Sequence, residues 1–346
     1  MNFKKLLATF LSFIIIFSVL PIGTFSANAL SNGLYTYTVQ ENSATIISCD
    51  GSIGGNVVIP SNLDGYSVTA IGDAAFVGQG NITSITLPES LKTIMSVAFA
   101  GCSSLVNVTF PNTLEQIGES AFAGCVSLEK VVLPDSVLSV SESAFAGCES
   151  LGEITFSKSM KEIPSGMFSG CLGLVEVTIP SNIEKIGDYS FSGCSALEKV
   201  TTLNGVKTIG EATFSGCYRL TSMILSDSVE SIKSAAFSGC VNLTNIELPK
   251  NLKNMGNSTF SGCQSLEEIT IPSGVIEVGG GAFSGCEGLK KVTLLDGVIA
   301  IGDSAFSGCT GLNKVVIPSS VINICYSAFS DCQSLESVTI PSGVNT

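Results

Sequence analysis

Apolar and polar positions recur along most of the chain with one period. Phe76, Phe99, Phe122, Phe145, Phe168, Phe191, Phe214, Phe237, Phe260, Phe283, Phe306 and Phe329 stand 23 residues apart. From the second unit a cysteine follows three residues later, Cys102 through Cys332, and a leucine three further on, Leu105 through Leu335, with no insertion or deletion. A fixed period of this length marks a solenoid, in which each unit is one coil that buries its apolar face only against its neighbours. Within a unit, Leu105, Val108 and Phe110 point inward while Asn107 and Thr109 point outward, the alternation of a strand. Pro111 lacks an N–H and ends that strand. Leu114 and Ile117 mark a second short strand, Gly118 turns the chain, and Ala121 to Cys125 form a compact corner. The expected fold is a β-rich solenoid, with parallel strands stacked in about twelve 23-residue coils joined by short turns or 3-10 corners. At a strand spacing of about 4.8 Å, twelve coils make a rod or shallow arc of roughly 55–60 Å, with the phenylalanines in one internal column.

The two ends depart from this pattern. Residues 1–29 read as a secretory leader: Lys4 and Lys5, an apolar run from Leu6 to Leu20, and Ala27-Asn28-Ala29 as cleavage site. A membrane anchor is the alternative, but the run is short for a span of about 20 residues. No later segment is long and apolar enough to cross a bilayer. Residues 30–71, with Tyr35, Tyr37 and Val39, then Ile46-Ile47, then Val57-Val58-Ile59-Pro60, predict a hairpin-like β cap on a solenoid of residues 72–346. Pro341-Ser342-Gly343-Val344 opens a thirteenth coil that stops at Thr346, so a truncated chain is expected. Pro164 and Met167 in the fifth coil, and Cys325 and Asp331 in the twelfth, break the consensus and predict local irregularity.

Only 13% of residues are charged, about half the usual share of roughly 25%. The net charge is −13. Without the leader, 14 cations face 29 acids, giving −15. Such a body repels phosphate backbones and anionic headgroups, so neither nucleic acid nor a membrane surface is an expected partner. Eleven of the 13 cysteines form the ladder. Stacked side chains point in parallel, with Cβ atoms near 5 Å apart where a disulfide wants about 3.8 Å. The ladder therefore reads as buried free thiols acting as small apolar filler, with occasional bridges between adjacent coils as the alternative. Cys49 and Cys325 read as lying outside it, near opposite ends.

The chain has no histidine, which removes Ser-His-Asp and Cys-His catalysis and the commonest general base. Carboxylate pairs such as Glu267 and Glu268 are exposed, with no pocket to shift their pKa values. There is no CxxC pair, and Gly279-Gly280-Gly281 lacks a phosphate-binding signature. No enzyme activity, metal or cofactor is expected.

Attention falls on the outward strand positions. Thr86, Thr109, Thr155, Thr178, Thr201, Thr270, Thr293 and Thr339 share one position, and Lys130, Glu153, Glu176, Lys199, Glu268, Lys291 and Lys314 share the position two earlier. Threonine suits an exposed strand and mixed charge keeps a sheet soluble, which is the structural reading. The functional reading is a ligand face, as extended repeat surfaces provide. Val132, Ile224, Glu247 and Val316 interrupt the threonines, which weighs against a flat ice-binding array. Asp73, Glu119, Glu142, Asp188, Glu211 and Asp303 form a patchier row, read as a solvated edge because calcium needs six to eight converging oxygens. Without tryptophan and with six scattered tyrosines, no sugar-stacking platform is expected.

The run Val229-Glu-Ser-Ile232-Lys-Ser-Ala-Ala-Phe237-Ser-Gly-Cys240-Val-Asn-Leu243-Thr-Asn-Ile246-Glu-Leu248-Pro249 resembles the 23-residue repeat of BspA-type bacterial leucine-rich-repeat surface proteins, and the likeness extends over residues 34–346. That resemblance implies a leucine-rich-repeat solenoid, a secreted or cell-surface location, and protein binding or adhesion, but it transfers no particular ligand. The expected function is an extracellular protein-binding or adhesion module. Its expected face is Thr109, Lys130, Glu153, Thr155, Glu176, Thr178, Lys199, Thr201, Glu268, Thr270, Lys291, Thr293 and Lys314. A passive spacer within a larger extracellular protein is the alternative, and the oligomeric state is open.

Overall fold

The computed structural model describes residues 29–345, so the expected leader, but for Ala29, lies outside the described residues. Each coil contributes two short strands, as the alternation requires. In the fourth coil these are Lys130–Val132 and Ser139–Val140. Both pair in parallel with equivalent residues one period away, Lys130↔Glu153 and Val132↔Thr155 on one wall, Gln116↔Ser139 and Ile117↔Val140 on the other. The corner makes a third wall. Phe122 N–H donates to Ala144 O and Gly124 N–H to Ala146 O, each at 2.8 Å. Within the corner Cys125 N–H donates to Phe122 O at 3.2 Å and Leu128 N–H to Cys125 O at 3.0 Å. These are separate turns; the described residues contain no helix, 3-10 or α. Of the two corner forms expected, turns are what the chain adopts. The corner needs left-handed backbone at Gly124, φ 70°, where glycine carries no Cβ penalty. In the twelfth coil Asp331 takes that conformation at φ 58°, a role aspartate tolerates better than most.

At the N-terminus β1 (Leu30–Ser31), β2 (Tyr35–Gln40) and β3 (Ser43–Cys49) are antiparallel neighbours. They are followed by β4 (Gly55–Val58), β5 (Asn62–Leu63) and β6 (Tyr66–Ile71). Strand β3 pairs in parallel with β6, and β4 and β6 pair in parallel with Ile82–Thr86 and Thr93–Ile94. The hairpin thus lies on strands that already stack as coil walls. Tyr35 places its ring 6.2 Å from Phe76 and covers the end of the aromatic column.

The column itself is continuous. Successive rings from Phe76 to Phe329 lie 4.9–5.9 Å apart at interplanar angles of 2–22°, within the range of attractive ring stacking. Phe110 and Phe156 meet it edge-on, at 87° and 84°. Phe110 and Val108 are half-buried, less enclosed than the alternation suggested.

All thirteen cysteines are free, and Cys102 through Cys309 are buried. They are more than apolar filler. Every ladder thiol donates to the carbonyl oxygen of the phenylalanine one coil earlier, at 3.1–3.4 Å. Burial pushes Cys148, Cys194 and Cys240 up to about 12. Cys49 is half-buried against the core and takes no part in the thiol-to-carbonyl ladder. Burial, and then the charge of Cys102, push it up to about 12.

The fifth coil is irregular in a specific way. Gly118 and Ser141 donate their N–H groups to Ile94 O and Ile117 O at 2.7 and 2.8 Å. Pro164, at the same position, has none to donate. One break in the second-wall sheet falls there, between Ser139–Val140 and Glu162–Ile163; another, without a proline, falls between Asn254–Met255 and Glu277–Val278. Met167 is fully buried, and the ring spacing from Phe145 to Phe168 is the widest in the column, 5.9 Å.

Candidate interaction face

On the first wall, inward residues such as Val131, Val177, Val200 and Val292 are buried, so their strand neighbours face out. Lys130, Glu153, Glu176, Lys199, Glu268, Lys291 and Lys314 are exposed, as are Thr109, Thr155, Thr178 and Thr270; Thr201 and Thr293 are half-buried. Register sets these side chains beside one another. Glu176 lies next to Lys199, Thr178 next to Thr201, Thr270 next to Thr293, and Lys291 between Glu268 and Lys314. Lys130 pairs with Glu153 at 2.7 Å and Lys291 with Glu268 at 3.6 Å. Among the described residues Glu176, Lys199 and Lys314 have no ion pair within 4.0 Å. Lys291 and Lys314 are like charges on paired strands, an unfavourable arrangement left without compensation on the Lys314 side.

The face is open. Two shallow concavities of about 250 and 390 Å³ lie on the second wall, around Thr93 and Gln116, and around Leu138 and Lys161. No group of three or more metal-binding side chains is found among the described residues, and no described helix is long and apolar enough to cross a membrane.

Several polar rows escaped the sequence reading. Along the second wall Lys92–Glu115, Glu184–Lys207 and Glu230–Lys253 form ion pairs of 3.3, 2.9 and 2.7 Å. Side-chain hydrogen bonds from Lys207 and Lys253 hold Glu184 and Glu230 below the usual carboxylate range. The available signal was opposite charge at a separation of 23. Ser90, Thr113, Ser136, Asn182, Ser228 and Ser320 donate to carbonyls of the preceding coil at 2.7–2.8 Å. The acidic row is not merely a solvated edge. Asp73, Asp188 and Asp303 accept the N–H of Ser96, Glu211 and Tyr326 one coil onward, at 3.0, 2.8 and 3.1 Å.

The sequence matches the BspA type leucine rich repeat region, with 6 copies, over residues 69–198, 186–309 and 277–346. No curated protein matches it. Among solved structures, a leucine-rich repeat protein from Bacteroides ovatus is 27% identical with a TM-score of 0.67, the likeness covering 90% of this chain and 93% of that one. A leucine rich cell surface protein from Faecalibacterium prausnitzii is 28% identical with a TM-score of 0.50, covering 85% and 95%. Repeat match and stacked-coil geometry agree: the chain belongs to the BspA-type leucine-rich-repeat family.

Proposed function

We propose that this chain is a secreted or cell-surface module that binds an extracellular protein through the outward face of its first wall. The observation that carries the reading is the contrast between lining and surface. Phenylalanine, cysteine and leucine repeat with almost no variation inside, while outward positions change sign and size from coil to coil. A stack needs uniform lining but leaves its exterior free to vary, and extended repeat surfaces of this kind commonly serve as binding faces. The leader-like sequence of residues 1–29 and the likeness to a cell surface protein support the location. Buried thiols, paired surface carboxylates and shallow concavities offer no machinery for catalysis, so the reading is non-enzymatic. Uniformity of the lining also suits a passive spacer, which would leave the outward face without a partner.

The test reverses Lys130, Lys199, Lys291 and Lys314 together to glutamate. A ligand recovered from extracellular or surface fractions binds the original chain and is lost by the folded variant. Unchanged binding places recognition elsewhere.

A further inference from the structure

The outward charges of the first wall carry a pattern that goes beyond mixed polarity. From the fifth coil to the twelfth, one exposed residue per coil occupies the charged row, on a common register. Laid against itself in reverse order, the row is complementary throughout. Glu153 meets Lys314, Glu176 meets Lys291, Lys199 meets Glu268, and Ser222 meets Asn245. In parallel order each charge would meet its own sign.

We infer that this face pairs with the same face of a second copy of the chain, the two solenoids running antiparallel about a two-fold axis between the coils of Ser222 and Asn245. This deepens the binding reading above and rests on it. Three observations favour a second copy over an unrelated partner. First, side chains in this row repeat at the coil rise, so a partner matching six charges over eight successive positions must share that pitch, as an identical solenoid does. Second, the pairing gives an opposite charge to Glu176, Lys199 and Lys314, the three without an ion pair of their own. Glu153, Glu268 and Lys291, already paired within the chain, become shared members of larger alternating clusters. Third, the adjacent row brings small polar residues together, Thr178 with Thr293 and Thr201 with Thr270, which lets the sheets approach. Ile224, 56% exposed, then meets Glu247, where it packs on the methylene stem.

Eight coils of a narrow face bury roughly 1,000 Å² in total, the size of a weak, reversible contact. On a body of net charge −15 such a contact forms only where local charges match. The arrangement suits adhesion between two surfaces that display the same protein.

Sedimentation velocity on residues 30–346, over a concentration series, tests the pairing. Two folded variants are compared with the original: K291E with K314E, and E153K with E176K. Each variant opposes like charges in its own dimer, so self-association weakens by roughly tenfold or more. Mixed one to one, every altered pair is again opposite in sign, and the complex returns. A milder pair, K291Q with K314Q, weakens association without introducing repulsion. A chain that stays monomeric at all concentrations, or variants that fail to recover on mixing, overturns self-pairing. If the chain is monomeric while the fourfold lysine reversal still abolishes an extracellular ligand's binding, self-pairing falls and the binding face stands. If neither self-association nor ligand binding responds to any reversal, both readings fall.

Discussion

Replacing Phe214 with alanine removes one ring from the middle of the aromatic column. The side chain is fully buried, and its neighbours Phe191 and Phe237 each lie 5.5 Å away. A phenylalanine truncated in such a site costs about 3–5 kcal/mol. The backbone around it has reason to stay in place. Phe214 N–H still reaches Ala236 O at 2.8 Å, and Cys240 Sγ still donates to Phe214 O at 3.2 Å. The cavity therefore persists, and the loss falls on the two interfaces that the ring bridged. In a stack held by nearest-neighbour contacts, opening concentrates there. Hydrogen exchange read peptide by peptide should show protection reduced by about a hundredfold to a few thousandfold around Phe191 to Phe237, since about 1.4 kcal/mol corresponds to a factor of ten. Coils around Phe99 and Phe306 should keep their original rates. A reduction of equal size in every coil would mean that the chain opens as one unit, and the nearest-neighbour reasoning would be wrong.

Alkaline pH offers a second handle. An unfolded thiol titrates near 9, whereas burial pushes Cys148, Cys194 and Cys240 up to about 12. The unfolded state therefore loses protons first, so stability is intact below about pH 8 and falls between pH 9 and 12. Each such thiol contributes a slope of about 1.4 kcal/mol per pH unit. Urea midpoints measured from pH 7 to 11 should be level and then drop steeply; a level profile throughout would contradict buried ladder thiols. Asp188 caps the Glu211 amide and pairs with Lys233 at 3.1 Å. Alanine there should cost about 1 kcal/mol after screening by water. Asparagine should recover part of it, because Asn257 accepts the Gly280 N–H at 2.9 Å in the equivalent position. Equal urea midpoints for the alanine and asparagine variants would remove the cap from the account.

The lining was legible because repetition turns weak local signals into strong ones. One Phe-x-x-Cys-x-x-Leu spacing says little, but its recurrence every 23 residues fixes coil length, strand phase and the aromatic file together. Outward orientation followed from period two and needed no tertiary information. Cross-coil polar contacts were harder to see. The thiol-to-carbonyl bonds depend on where a corner carbonyl points, which composition does not encode. The caps at Asp73, Asp188 and Asp303 depend on a short side chain reaching an amide one coil away, so a row read as six acids contains three residues with a defined bond. The burial of Cys49 against the core follows from the parallel pairing of β3 with β6, a long-range pairing with no periodic signal. Pro164 announced irregularity at the right coil, and its physical form, a missing ladder donor, emerged only with register.

Native-state alkylation, counted by mass spectrometry, tests regular stacking most directly. The chain has thirteen free thiols, of which Cys325 is exposed, Cys49 and Cys332 are partly covered, and ten lie in the lining. Iodoacetamide at neutral pH should modify Cys325 quickly and Cys49 and Cys332 slowly, and should reach the remaining ten only after denaturant is added. Ladder cysteines that react as fast as Cys325 in the folded chain, or that are already joined in disulfides, would show that the coils do not lie flush on one another.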